Sequence, residues 1–371
     1  MQKLRQQLAF LRRQRPAALV AGMLLLALAV VGVTAVRPPA ILGSPSRDVV
    51  PQLVSPRHFA TEVDVSSFLR GNIHTHSMRS DGDSPAEMVM AWYRDHGFNF
   101  LALTDHNRHL DVSDYSHVES DSFVLIPGEE VSMAAAGKPI HVNALCTHST
   151  IGEARFDSRT AAVQWAVDQI GSQGGVALIN HPNFVWSLRL EHLAPIRGAH
   201  MLEIYSGHPQ ARSLGNDQHA SAEQMWDGLA TLGSTWAPAA VDDMHQLGPV
   251  PTEGIPEARP ATGWVEVYGA ELSADSICHA LAAGRLYATN GPRLARLVVE
   301  GNAITLWVED ADAQVDFVGI GGEVLATAHP EPDQQGALQV SYQLRGDEPW
   351  VRARVATRDG SAWTRVYRTT R

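Results

Sequence analysis

Histidines and carboxylates recur in this sequence at the ends of apolar runs, a placement that suits metal coordination. Asn72-Ile73-His74-Thr75-His76 opens the series. Alternate residues of an extended segment face one side, so His74 and His76 can grip one ion together. Asp81 follows in Ser80-Asp81-Gly82, a turn-forming context. Leu103-Thr104-Asp105-His106 ends a second apolar run, where a carboxylate and an imidazole are costly to bury without partners or a metal. Ile126-Pro127-Gly128-Glu129-Glu130-Val131 sets two acids after a third run, and His141 lies in Ile140-His141-Val142, whose alternation turns it away from its apolar neighbours. Asn180-His181-Pro182 ends the run Val176 to Ile179, and Val241-Asp242-Asp243-Met244-His245 ends another. A turn aspartate or a satisfied core histidine would explain any one of these clusters. Six of them at successive strand ends point instead to a shared site. Imidazoles and carboxylates are ligands for zinc, manganese or iron, and a bridging carboxylate holds two ions about 3.5–4 Å apart, the spacing used for hydrolysis.

These residues meet only if the strands that carry them converge. From about 68 to 290 short apolar runs (Phe100 to Leu103, Phe123 to Ile126, Val176 to Ile179, Met201 to Ile204) alternate with helix-like stretches (Pro85 to His96, Arg159 to Gly171, Ser221 to Leu232, Ser273 to Ala283). Ser84, Pro85 and Glu87 supply a cap, a first-turn proline and an early acid for the first of these helices. Such alternation predicts a parallel-stranded barrel or sheet, with the polar clusters gathered at the C-terminal strand ends. An open doubly wound sheet is the second choice; no Gly-rich phosphate loop follows the first strand. From 293 the pattern changes to closely spaced strands, among them Arg296 to Val299, Ile304 to Val308, Val315 to Val318, Leu338 to Tyr342 and Trp350 to Val355, and a small antiparallel β domain is expected. Trp165, Trp186, Trp226 and Trp264 are assigned to the core by default, with pocket walls as the alternative.

The hydrophobic fraction of 44% supplies a sizeable core and argues against wholesale disorder. Net charge is −11, yet residues 1–36 hold five basic and no acidic residues, leaving 24 basic against 40 acidic beyond them. A surface that acidic repels nucleic-acid phosphates, so no nucleic-acid partner is expected. Residues 17–36 are uncharged and long enough to span a bilayer behind a basic tail, 1–16. They predict a transmembrane anchor, with a cleaved signal segment as the alternative, and so a membrane partner and a globular part on the exported, periplasmic or extracellular side. The proline-rich stretch 37–67 is a linker. Cys146 and Cys278 lack zinc-finger spacing and are expected as buried small apolar residues, a disulfide between them being the lesser alternative.

The ordered series His-x-His, Ser-Asp-Gly, Thr-Asp-His, Pro-Gly-x-Glu, His, Asn-His-Pro and Asp-x-His over 68–292 resembles the PHP (polymerase and histidinol phosphatase) superfamily. The resemblance implies an α/β fold, a distorted (β/α)7 barrel, with two or three divalent ions. It implies that His74, His76, Glu130 and Asp243 hold one ion, that Glu130 bridges to a second held by His141 and His181, and that Asp81, His106 and His245 hold a third. Glu130 is preferred to Glu129, and Asp243 to Asp242, because the family patterns are Gly-x-Glu and Asp-x-His. Asp105 would orient a ligand imidazole. The segments Leu202 to His208, Met225 to Leu229 and Gly284 to Pro292 resemble a branch that includes aryl carbamate hydrolases. Arg108 and Lys138 are candidates for binding a substrate oxygen, Tyr205 for lining the pocket, and His208 for lining it or moving a proton. The function implied is metal-dependent hydrolysis of a small molecule, foremost a phosphate ester. An amide or carbamate hydrolase, or an envelope protein that binds metal or ligand without turnover, are the alternatives.

Overall fold

Short apolar strands that end in polar residues organise the computed structural model, which describes residues 57–248 and 257–370. In chain order the first are β1 (His58–Phe59), β2 (Val63–Val65), β3 (Leu69–Asn72), β4 (Phe100–Ala102), β5 (Val124–Ile126), β6 (Gly128–Ala135) and β7 (Lys138–Leu145). Then come β8 (Ala154–Phe156), β9 (Val176–Ile179), β10 (Met201–Ser206), β11 (Ala237–Val241), β12 (Trp264–Val267) and β13 (Leu286–Thr289). Four helices of nine or more residues pack outside them: α1 (Ala86–Asp95), α2 (Arg159–Ser172), α4 (Ala222–Thr231) and α5 (Ala274–Ala282), with a single turn, α3 (Leu190–Leu193), between the second and third. Three of these helices start on a serine whose hydroxyl accepts a first-turn N–H: Ser158, Ser221 and Ser273. Helix α1 departs from that pattern. The Ser84 hydroxyl donates to Asp83 instead, and the helix begins after Pro85 without a side-chain cap.

The strands form a mixed α/β fold with three sheets. One runs β11-β10-β9-β7-β6-β8; another contains β13-β12-β3-β4-β5. Pairs β3/β4, β4/β5, β9/β10 and β10/β11 are parallel, but β6/β7, β7/β9, β3/β12 and β12/β13 are antiparallel. The ladders therefore do not form one continuous hydrogen-bonded (β/α)7 barrel. Two single parallel bridges cross between the sheets, Thr75 with Met244 and His106 with Glu130, and both lie where ligand-type residues cluster.

The remaining strands are antiparallel: β14 (Leu294–Glu300), β15 (Ala303–Val308), β16 (Gln314–Val318), β17 (Val324–Ala328), β18 (Glu331–Pro332), β19 (Leu338–Gln343), β20 (Trp350–Ala356), β21 (Ser361–Thr364) and β22 (Tyr367–Thr370). A third sheet, β18-β19-β15-β14-β2, contributes Leu297, Ile304 and Leu306 to a core shared with Val315, Phe317, Val351 and Val355 of the other layer. That layer continues from β21 into β13, so hydrogen bonding does not break near 292. Residues 58–65, assigned to the linker, instead supply β1 and β2, which pair with β22 and β14.

The anchor assigned to 17–36 lies outside the described residues. Among the described residues no helix is long and apolar enough to cross a membrane, so the assignment to the exported face of a membrane is withdrawn. The two cysteines also differ from expectation: Cys146 and Cys278 are joined in a disulfide, and both are only partly buried. Trp226 and Trp264 are core residues, and half-buried Trp165 packs on the core.

Candidate metal centre

The C-terminal ends of β3, β4, β9 and β11, together with the β6/β7 hairpin, deliver nine side chains to one place. His74 and His76 follow β3, and the loop after them brings Asp81. His106 follows β4, Glu130 and His141 come from the hairpin, His181 follows β9, and Asp243 and His245 follow β11. Glu130 is the hub. Its carboxylate lies 3.4 Å from His74 Nε2, 3.3 Å from His76 Nε2, 2.9 Å from His106 Nδ1, 2.9 Å from His141 Nδ1 and 3.3 Å from His181 Nε2. Asp243 lies 3.3 Å from His74 Nε2 and 3.2 Å from His76 Nε2. Asp81 approaches His76, His106 and His245 at 3.4–3.5 Å.

Four overlapping groups can each hold an ion: His74, His181 and Asp243; His74, His76 and Glu130; His106, Glu130 and His141; and His76, Asp81, His106 and His245. The partition differs from the one implied by the resemblance, chiefly because His76 leans also toward Asp81 and His106 toward Glu130. The residues fit divalent ions on their own geometry. The Nε2 atoms of His74 and His76 point at each other across 3.2 Å and share the same carboxylates. His141 Nδ1 is buried with no hydrogen-bond partner although Glu130 is 2.9 Å away. A cation between such atoms satisfies all of them at once.

Electrostatics point the same way. Burial opposes charge on His245 and His106, but Asp81, Asp243 and Glu130 outweigh it, raising His245 to about 9 and His106 to about 11. His74 is raised well above its usual value against burial, by Asp243, Glu203 and Glu130. The same imidazoles hold Glu130 and Asp243 below the usual carboxylate range despite their burial. Three converging carboxylates demand positive charge, which protons or metal ions can supply.

Surrounding groups hold the ligands in place. Glu203, on β10, accepts from His74 Nδ1 at 2.6 Å and from the His181 N–H at 2.6 Å. The first contact leaves the Nε2 lone pair of His74 for the centre. The His245 Nδ1–H donates to the Asp243 carbonyl at 2.9 Å, a geometry set by the left-handed backbone of Asp243 (φ 50°). Asn180 donates to Glu130 Oε1 at 2.8 Å, and Ser132 Oγ lies 2.6 Å from His106 Nδ1. The sequence does carry a sign of Glu203, an acid inside the apolar run Met201 to Ile204, which must find a partner when buried. Asp242, beside a ligand position, turns away: Tyr93, Asn72 and the Ala261 N–H donate to it, and burial raises it to about 7.

A cavity of about 300 Å³ opens over the centre, walled also by Phe184, His208, Gln210 and Gln246. His208 sits there as expected of a pocket residue, its ring 5.1 Å from that of His245. Five other assignments need correction. Asp105 is fully buried and, among the described residues, makes no hydrogen bond to an imidazole; it accepts from the Ser77 N–H and hydroxyl and from the Ser80 hydroxyl, and so shapes the loop that carries Asp81. Tyr205 packs toward Trp363, because the pairing slips by one residue between Glu203 and Tyr205 and breaks the alternation of faces. Arg108 is exposed and outside the cavity wall. Lys138 is outside the cavity wall and donates to the Val185 carbonyl at 2.6 Å. Trp186, assigned to the core, is half-buried beside His219.

No family model matches the chain, and no curated protein matches it. Among solved structures it is similar to a two-domain protein from Bacteroides vulgatus that contains a predicted PHP-like metal-dependent phosphoesterase, at 16% identity and a TM-score of 0.43 over 83% of this chain and 96% of that one. It is also similar to an amidohydrolase from Chromobacterium violaceum (17%, TM-score 0.35, over 51% and 93%) and to a lesion-specific endonuclease from Pyrococcus furiosus (10%, TM-score 0.38, over 58% and 56%). These likenesses are distant.

Proposed function

We propose that this chain is a metal-dependent hydrolase of the PHP type that acts on phosphate esters. The observation that carries this reading is the convergence of six imidazoles and three carboxylates around Glu130 beneath an open cavity. Divalent ions held there would activate water near neutral pH and stabilise charge developing on the attacked group. Glu130 and Asp243 would serve the ions jointly with His74, His76, His141 and His181, while Asp81, His106 and His245 gather at the outer side. Charge favours a phosphate ester over a neutral carbamate or amide. Three divalent ions against Asp81, Glu130, Asp243 and the Glu203 carboxylate behind His74 would leave a positive surplus facing the cavity even with one hydroxide bound, which would draw an anion. His208 and Gln210 stand at the wall, placed to donate to or accept from substrate oxygens.

The test is hydrolysis of p-nitrophenyl phosphate, bis(p-nitrophenyl) phosphate, p-nitrophenyl acetate and a p-nitrophenyl N-methylcarbamate by protein loaded with manganese or zinc. Turnover of a phosphate ester, abolished by chelator and by His181→Ala, is expected. Carbamate or carboxylate ester turnover exceeding that of both phosphates would overturn the substrate class. No turnover by folded, ion-loaded protein would overturn the hydrolase.

A further inference from the structure

We propose that Phe184 selects the organic part of the substrate, so that the cavity takes a phosphate carrying an aromatic or other flat apolar group in preference to a small alkyl group. The inference rests on the phosphoesterase reading and deepens it. Imidazoles, carboxylates and two glutamines line the cavity together with Ala211 and Phe184, and among the described residues Phe184 supplies its one phenyl ring. That ring lies 5.3 Å from the His181 ring and 6.1 Å from the His141 ring. It stands three residues beyond a ligand-type histidine. A group attached to a phosphorus at the centre therefore comes within reach of it.

The backbone pays strain to present this ring. Val185 and Trp186 take left-handed conformations (φ 42° and 59°), which cost a β-branched or bulky residue about 1–2 kcal/mol each. Contacts from separate segments hold the turn. Lys138 Nζ donates to the Val185 carbonyl at 2.6 Å, and Asn183 Nδ2 donates to the carbonyls of Arg212 and Ala220. The Trp186 indole stacks 4.0 Å from the His219 ring, with the Arg212 guanidinium 5.1 Å from it. Lys138 is thus a positioning residue for the aromatic wall.

Phosphonates, whose C–P bond resists hydrolysis, separate recognition from turnover. Calorimetric binding of phenylphosphonate and methylphosphonate to the manganese-loaded full chain would be compared for the native protein, Phe184→Ala, Phe184→Leu and Lys138→Met, with ion content measured for each. The native protein should bind phenylphosphonate about tenfold more tightly than methylphosphonate, the contribution of one aromatic contact plus the area it buries. Phe184→Ala should erase that difference with methylphosphonate affinity and ion content unchanged, Phe184→Leu should retain part of it, and Lys138→Met should reduce it. Equal affinities in the native protein would overturn the inference, as would Phe184→Ala weakening both ligands alike, which is what a wall that only excludes water would do. If neither phosphonate binds ion-loaded protein, the phosphate-ester reading fails and the inference falls with it. If methylphosphonate binds but shows no phenyl preference, only the inference fails.

Discussion

Glu203 shows how much of the centre depends on groups that never face the cavity. One carboxylate accepts from the His74 ring and the His181 N–H, fixing two ligand positions from two different strand ends. Glu203→Gln keeps the volume but leaves only one acceptor oxygen for two donors. Manganese or zinc affinity should fall roughly 10–100-fold, read by competition with a fluorescent chelator, with secondary structure unchanged; a loss under threefold would remove Glu203 from this role. Protonation sets a second expectation. His245 near 9 and His106 near 11 remain protonated at neutral pH in the ion-free protein, so ions must displace protons. Both folded-state values lie above the unfolded value of about 6.5. Their stabilisation of the ion-free fold is therefore complete below that pH and is lost as pH rises through about 9 and then 11. Ion affinity should rise from neutral pH to about pH 9, and the gap in Tm between ion-loaded and ion-free protein should widen over the same range. A gap that narrows on going alkaline would show that the imidazoles are not the competing groups. At this scale the sequence was legible where motif order mattered: all nine ligand-type residues converge. It was not legible where a long side chain's direction mattered, as with Arg108, Lys138 and Tyr205.

The β6/β7 hairpin decides whether Glu130 and His141 meet. Its register pairs Ala135 with Lys138 and Ser132 with His141, leaving Ala136 and Gly137 as a two-residue turn with both φ positive (49° and 73°). That is a type I′ geometry, usually announced by Asn-Gly or Asp-Gly. Here Ala136 stands first, so that turn signal is absent, and the expectation of parallel strands joined by helices passed over an antiparallel pair. Where capping and helical length were regular the reading was close: helices expected at 159–171, 221–232 and 273–283 occur at Arg159–Ser172, Ala222–Thr231 and Ala274–Ala282. The turn also gives a test. A Cβ at Gly137 meets nothing within 4 Å, so Gly137→Ala is penalised by its backbone alone. It should cost about 1 kcal/mol in urea unfolding, with ion affinity retained if the register holds. A one-residue slip would turn every side chain of a strand to the other face and would appear as lost ion binding. An unfolding midpoint equal to the native one would rule out the positive-φ turn.

At the scale of the whole described chain, two ties join regions that the sequence presents as separate. The disulfide Cys146–Cys278 links the exit of β7, the strand that carries His141, to helix α5 across 132 positions. Arg352, buried on β20, donates to both oxygens of Asp227 at 2.7 Å and to Glu223 at 2.7 Å, both acids lying on α4. Nothing in the periodicity of either segment foretells the second tie. An arginine in a strand and an acid on a helix each read as exposed until tertiary packing buries them together. Burial raises the Asp227 carboxyl even with Arg352 beside it, while Asp227 and Glu223 raise the Arg352 guanidinium against its own burial, so each buried charge depends on its partner. The consequence is asymmetric. Arg352→Ala strands a buried acid and should lower stability by about 3–5 kcal/mol, whereas Arg352→Met combined with Asp227→Leu should recover most of that loss by replacing both charges with apolar volume. Neither residue lines the cavity over the centre, so the double variant should bind ions with native affinity. Guanidinium unfolding of the ion-free proteins, followed by ion titration, reads both quantities. If Arg352→Ala costs under 1 kcal/mol, the ion pair is not what fastens α4 to the C-terminal strands, and the shared apolar packing of Trp226 and Trp363 carries that contact instead.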